Sequence, residues 1–347
     1  MTSFARPAEP MAVVRRRTVL GALFATATGT AAGYATTGSK SATRWTPTAI
    51  LSSTKTSSLT PRPVTAYVPA TGSAPSKRYA AGLRDLGFAR GAMRPLPTRI
   101  WYPASSGAPG AVTAAAAPAR GPFPVVVFSH GLGSQPNDYA AMLARWAQAG
   151  FVVAAPVYPH TSHGTADFNS YDIVNQPADA AEVLTRLLAL NDSTDPLRGR
   201  LDPDRIAAAG HSAGGITTAG LFSALRDARL KAGIVLAGTD FRSAPFTGSP
   251  AAMLFVHGEK DDTVAYAAGH AVFEAVPWSR AMLSLPDGGH QVYDDGFEAV
   301  TGTSIEFLRW SLYGDDTARR RIPAKAAAGG VATFEEQLTA NESSVLA

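Results

Sequence analysis

The feature that most constrains this chain is the regular alternation of short, wholly apolar segments with stretches of helical period. Phe123-Pro-Val-Val-Val-Phe-Ser and Phe151-Val-Val-Ala-Ala are apolar at nearly every position. Such a segment has no solvent side, so each predicts a strand covered on both faces. Between them Tyr139, Met142, Leu143 and Trp146 recur at helical spacing until Gly150, and further on Ala180, Val183, Leu184, Leu187 and Leu188 mark a second amphipathic helix. Arg205-Ile-Ala-Ala-Ala-Gly, Ala232-Gly-Ile-Val-Leu-Ala, Met253-Leu-Phe-Val-His and Ala281-Met-Leu-Ser-Leu supply four more strands. The pattern predicts an α/β fold, a mostly parallel central sheet with helices on both faces. Residues 79–90, a turn at Gly91 and residues 98–102 read as an antiparallel hairpin at the N-terminal edge of that sheet. The Ala/Gly/Pro-rich stretch 104–122 reads as a surface loop.

The first residues carry a different signal. A basic segment with Arg15, Arg16 and Arg17 precedes an apolar run from about Val19 to Ala32 and then small residues. The run is too short to span a bilayer comfortably, so residues 1–35 read as an export signal peptide, and the Arg16-Arg17 pair as one of twin-arginine type. The expected partner is then the twin-arginine export machinery, and the expected location is outside the cell. Residues 36–62, rich in Ser and Thr and poor in large apolar side chains, read as a flexible linker. Residues 63–347 are left as one catalytic domain. Of the formal charge of +4, the signal contributes four arginines and one glutamate, so the remainder carries about +1. No basic stripe with interleaved aromatics remains for nucleic acid. The chain has no cysteine, which excludes disulfides, thiolate metal ligands, a lipoprotein anchor and a thiol nucleophile.

Gly210-His211-Ser212-Ala213-Gly214 matches G-x-S-x-G where an apolar strand gives way to a small-residue helix. In that context the glycines permit a sharp turn that exposes a seryl oxygen, which makes Ser212 the candidate nucleophile. A seryl hydroxyl needs a base to take its proton. Of seven histidines, His130, His211 and His257 sit in Gly-containing turns and suit loop packing, while His270 falls in a helix. His290 follows the strand ending near Leu285, at a carboxyl end where α/β sheets place their chemistry, and is the candidate base. Asp261 and Asp262, just past the strand 253–256, both suit the acid that orients the base. The amides of Ala213 and Leu132 are the candidate oxyanion donors. His160 and His163, with Asp167 nearby, give only a weak metal motif, and no metal or cofactor is expected.

Arg99-Ile-Trp-Tyr-Pro-Ala, Phe123-Pro-Val-Val-Val-Phe-Ser-His-Gly-Leu-Gly, the Gly210 turn and His257-Gly258-x-x-Asp261 together resemble the platelet-activating-factor acetylhydrolase-like and dienelactone hydrolase-like branch of the α/β hydrolases, over about residues 79–313. The resemblance implies an α/β-hydrolase fold without a large lid domain, and an esterase or lipase working through an acyl-enzyme with no cofactor. It places the acid on Asp261. Asp262-Thr-Val-Ala resembles instead the acid segment of bacterial cutinases, which keeps Asp262 in reserve. The chain is also similar to secreted polyester-degrading cutinases, from which it departs at Ala213, at Ile216 and in lacking cysteine. A serine peptidase or a non-catalytic binding module on the same fold are the remaining alternatives. The short connection 238–250 implies an open cleft, with Tyr158, Phe168, Tyr171, Phe241 and Tyr293 expected on its rim. The loop 157–176 is long enough to act as a lid instead.

Overall fold

The computed structural model describes residues 64–338, so the expected signal peptide and linker lie outside the described residues. Among the described residues ten strands form one sheet. In chain order they are β1 (Ala80–Arg90), β2 (Arg94–Ala104), β3 (Val112–Ala114), β4 (Phe123–Ser129), β5 (Val152–Pro156), β6 (Leu201–His211), β7 (Leu230–Leu236), β8 (Ala252–Gly258), β9 (Arg280–Leu285) and β10 (Thr333–Gln337). Their spatial order is β10-β9-β8-β7-β6-β4-β5-β2-β1-β3. From β5 to β9 every neighbouring pair is parallel, whereas β2 runs antiparallel to both β1 and β5. The helices are α1 (Ala140–Gln148), α2 (Gln176–Leu188), α3 (Ala213–Leu221), α4 (Tyr266–Ala275), α5 (Val292–Asp295), α6 (Phe297–Tyr313) and α7 (Asp316–Ala326).

Successive strand side chains point to opposite faces, and the core divides accordingly. Val126 and Phe128 of β4, Ala207 and Ala209 of β6 and Leu254 and Val256 of β8 pack with Trp146 of α1, Phe307 of α6 and Ile322 of α7. Val125, Val127, Ala208, Met253 and Phe255 pack on the other side with Val183 and Leu184 of α2 and Phe273 of α4. The wholly apolar strands are thus explained by two cores sharing one sheet.

Both sheet edges differ from the sequence expectation. The stretch 104–122 is not all loop: Val112–Ala114 pairs in parallel with β1, so the hairpin is second from the edge. All three residues of β3 are exposed, and a segment held by backbone bonds alone leaves no side-chain periodicity to read. At the opposite edge β10, Thr-Phe-Glu-Glu-Gln, pairs antiparallel with β9. The order of the central strands brings the carboxyl ends of β4, β6, β8 and β9 to the same end of the sheet.

Candidate active site

Ser212 stands alone between the last residue of β6 and the first of α3, with φ 56° and ψ −118°. A side-chain-bearing residue rarely occupies that region, and it persists only where its surroundings fix it. The neighbouring backbone does so. A Cβ on Gly214 would lie 1.9 Å from the Ser129 carbonyl oxygen, and one on Gly210 would lie 2.2 Å from that of Gly214. The start of α3 therefore lies so close to the ends of β4 and β6 that only glycine fits at both places. The Ser212 amide donates to Leu236 of β7 at 2.9 Å and its carbonyl accepts from Ile216 of α3 at 3.0 Å, which pins the turn on both sides.

His290 reaches this turn from the connection after β9. Its Nε2 lies 2.9 Å from Ser212 Oγ and its Nδ1 lies 2.8 Å from Asp261 Oδ2. Asp261 is buried, and its other oxygen accepts from the amides of Thr263 at 2.8 Å and Val264 at 2.9 Å. Burial opposes its ionisation, yet hydrogen bonds from His257 and His290 hold its carboxyl well below the usual carboxylate range. Asp262 is exposed, and among the described residues its carboxylate accepts from the hydroxyl of its neighbour Thr263 alone, at 3.3 Å. Of the two carboxylates the sequence leaves open, Asp261 is the one beside His290. Asp287 is exposed and pairs with Lys260.

Ala213 is the first residue of α3, where an amide has no acceptor inside the helix. Leu132 lies in the turn after β4, and a Cβ on the preceding Gly131 would be 3.3 Å from Ser212 Cβ. Among the described residues neither amide donates to a protein acceptor. The Leu132 side chain packs on a buried apolar cluster of Ile173, Ala213, Ile216 and Phe241. Ile173 comes from the connection between β5 and α2. That segment is tied down by Gly133 N–H to the Thr161 carbonyl at 2.7 Å, His163 N–H to the Ser134 carbonyl at 3.0 Å and Gln176 Nε2 to Thr161 Oγ1 at 2.7 Å. Its Phe168 and Tyr171 are exposed, as expected of rim residues. Tyr158 is not on the rim: it is fully buried with its hydroxyl 2.7 Å from Ser129 Oγ. Phe241 is likewise buried and Tyr293 largely so. The connection 237–251 contains no helix or strand.

The three histidines read as loop packing are indeed buried, but each makes a directed contact with the site's framework. His130 Nε2 accepts from the Tyr158 amide at 3.2 Å, so Nδ1 carries the proton it donates to the Gly131 carbonyl at 2.8 Å. Burial pushes this imidazole down to about 4. His257 Nε2 lies 2.9 Å from the Val264 carbonyl and 3.2 Å from Asp261 Oδ2, and it therefore donates to the carboxylate that His290 also touches. His211 bridges Tyr139 and the His290 main chain. A lone histidine in a Gly-rich turn gives no sequence signal of such a partner. His160 pairs with Asp167 at 2.8 Å, and among the described residues no group of three or more His, Asp or Glu is placed to hold a metal.

Residues 86–240, which include β4, the Ser212 turn and the C-terminal part of β1, match the family model described as Chlorophyllase. The chain is similar to platelet-activating factor acetylhydrolase of Cavia porcellus, with 25% identity over 227 residues covering 53% of this chain and 50% of that protein. The chain has an α/β-hydrolase-type fold. It is also similar to bis(hydroxyethyl) terephthalate hydrolase of Streptomyces coelicolor, with 29% identity over 223 residues, 63% of this chain and 62% of that protein. The alignments thus span between half and two thirds of the length of these curated relatives.

Proposed function

We propose that this chain is an exported serine hydrolase that cleaves carboxylic esters through an acyl-enzyme on Ser212. The observation that carries the reading is the continuous contact from Ser212 Oγ through His290 to Asp261, at 2.9 and 2.8 Å. In this reading His290 Nε2 removes the seryl proton as Oγ attacks the ester carbonyl. The Asp261 carboxylate keeps the proton of His290 on Nδ1 and stabilises the imidazolium that forms. The amides of Leu132 and Ala213 receive the oxyanion. Collapse expels the alcohol, which takes the proton from His290. Water then attacks the acyl-serine with His290 again as base, and Ser212 leaves with its proton restored.

The relatives' names support an ester substrate, since one is an acetylhydrolase and the other a hydrolase of a terephthalate diester. The cluster of Leu132, Ile173, Ile216 and Phe241 beside the nucleophile supports an apolar acyl group. Export rests on the twin-arginine signal read in residues 1–35, followed by the linker to a catalytic domain from residue 63. No described helix is long and apolar enough to cross a membrane.

Hydrolysis rates across a graded p-nitrophenyl ester series, with emulsified triglycerides alongside, test the reading. Short to medium acyl chains should be cleaved fastest, and the rate should rise smoothly through the solubility limit, because the connection 237–251 holds no helix to serve as a lid. A sharp rise above saturation would assign a lid to residues 157–176. Absence of turnover on every ester would remove the hydrolase reading.

A further inference from the structure

The proposed chemistry uses His290 and leaves the adjacent imidazole of His211 without a task. His211 is buried between Gly210 and Ser212, and each of its ring nitrogens has one partner. Nε2 lies 2.8 Å from the main-chain oxygen of His290. A carbonyl oxygen can only accept, so Nε2 carries a proton. Nδ1 lies 3.0 Å from Tyr139 Oη, and in the neutral ring it is the acceptor, so the phenol donates to it. Tyr139 Oη in turn accepts the Gly131 N–H at 3.1 Å. One directed series of bonds therefore starts at Gly131, passes through Tyr139 and His211, and ends at the carbonyl of His290.

The two ends of this series are the turn that presents the Leu132 amide and the residue proposed as base. The rings along it are packed together. Tyr139 lies 4.9 Å from Tyr293 between centroids, Tyr293 meets His211 edge-on at 5.1 Å, and His211 lies 4.8 Å from His290. Burial, reinforced by the nearby His290, pushes His211 down to about 3, so its ring is neutral at ordinary pH. A neutral neighbour matters chemically. A second imidazolium at this distance would oppose the charge that His290 takes up during each proton transfer.

We infer that His211 is a positioning residue which, as the Nε2–H tautomer, fixes the main chain of His290 and, through Tyr139, the Gly131–Leu132 turn, so that base and oxyanion donor keep a common register. The inference rests on the reading of His290 as the base. It assigns a role to the variable position of G-x-S-x-G, where sequence alone requires nothing.

Two substitutions separate this role from simple packing. His211→Gln keeps an Nε2 donor for the His290 carbonyl and an Oε1 acceptor for Tyr139, whereas His211→Phe keeps a ring and loses both bonds. The Phe variant should lose roughly a hundredfold in kcat, the scale expected for a misplaced catalytic group, at unchanged KM, and the Gln variant should recover most of it. Wild-type kcat in a folded Phe variant, or equal losses in both, would overturn the inference. Nitrogen-15 NMR of the full chain at neutral pH needs no variant to fold. His211 should show a protonated Nε2 and an unprotonated Nδ1, and the opposite tautomer or a charged ring would overturn the role. This spectrum is independent of turnover, so it fails separately from the hydrolase reading, whose failure would appear as wild-type protein inactive on every ester.

Discussion

The two segments that meet at Ser212 are held by opposite means. In the turn 210–214, geometry is imposed by excluded volume: the Ser129 carbonyl and the Gly214 backbone leave no space for a Cβ, and Ser212 is driven to positive φ. In the connection 157–176, geometry is imposed by hydrogen bonds, some local, such as the Asn169 N–H to the His160 carbonyl at 2.7 Å, and some between residues far apart in the chain, such as Thr217 Oγ1 to Gln176 Oε1 at 2.5 Å and Gln176 Nε2 to Thr161 Oγ1 at 2.7 Å. A steric lock fails abruptly when one methyl group is added. A polar tether loosens by degrees. The first suits a nucleophile that must not move, and the second suits a wall that has to admit substrate.

The chemistry should show the largest contrast. Asp261→Asn should lower kcat by about 10⁴-fold, as removal of the orienting carboxylate does in other serine hydrolases, while Asp262→Asn should remain close to wild type. Steady-state kinetics on one soluble ester checks both, and the reverse ranking would move the acid to Asp262. Next comes the steric lock. Gly214→Ala should cost about 3 kcal/mol or more, at the upper end of overpacking, because the obstructing atom is backbone and cannot turn aside. Denaturant unfolding measures it, and a loss under about 0.5 kcal/mol, the range of surface substitutions, would show that the start of α3 is less firmly apposed to β4 than described.

Acid should weaken the frame more gradually. His130 and His211 are pushed down by burial to about 4 and about 3, so below the ordinary histidine value the unfolded chain binds protons that the native chain excludes. Stability should therefore fall as pH drops from about 6.5 toward those values, by at most about 1.4 kcal/mol per pH unit for each residue. The depressed carboxyl of Asp261 acts in the same direction at more acid pH, its contribution being present above its unfolded value and lost as pH falls through its folded one. Denaturation midpoints between pH 7 and pH 4.5 test the trend, and a flat profile would contradict the buried neutral rings. The smallest effect belongs to the tether. Gln176→Leu should cost about 1 kcal/mol and raise amide hydrogen exchange in residues 157–175 without changing it in 210–214. Equal acceleration in both segments would erase the distinction between them.

The same contrast explains how much could be read from the sequence. Excluded volume is written locally: Gly210, Ser212 and Gly214 in register after an apolar strand specify the turn, and the parallel strands announce themselves because both faces must be apolar. His290 was legible for a related reason, since it follows a strand whose carboxyl end had to open on the same side of the sheet. Tethers are not written locally. Nothing near Gln176 points to Thr161 or Thr217, and nothing near His257 distinguishes a packing histidine from one that donates to Asp261. Residues alone also left Asp261 and Asp262 open, because which of two adjacent carboxylates turns inward depends on the amides of Thr263 and Val264 that cap one of them. The edge strand β3 is exposed at every position and so leaves no periodic pattern, and β10 is held by its pairing with β9 and by Glu335 and Glu336 on the distant His270 and Arg319, which nothing local announces.

The central claim is that Ser212 is the one seryl oxygen activated in this fold. Labelling the full chain with a fluorophosphonate and locating the adduct by peptide mass spectrometry tests it directly. The adduct should form on Ser212 in the wild-type protein and disappear in Ser212→Ala, with turnover falling by on the order of 10⁴-fold or more. Labelling that persists in Ser212→Ala on another serine, with ester hydrolysis retained, would contradict the account.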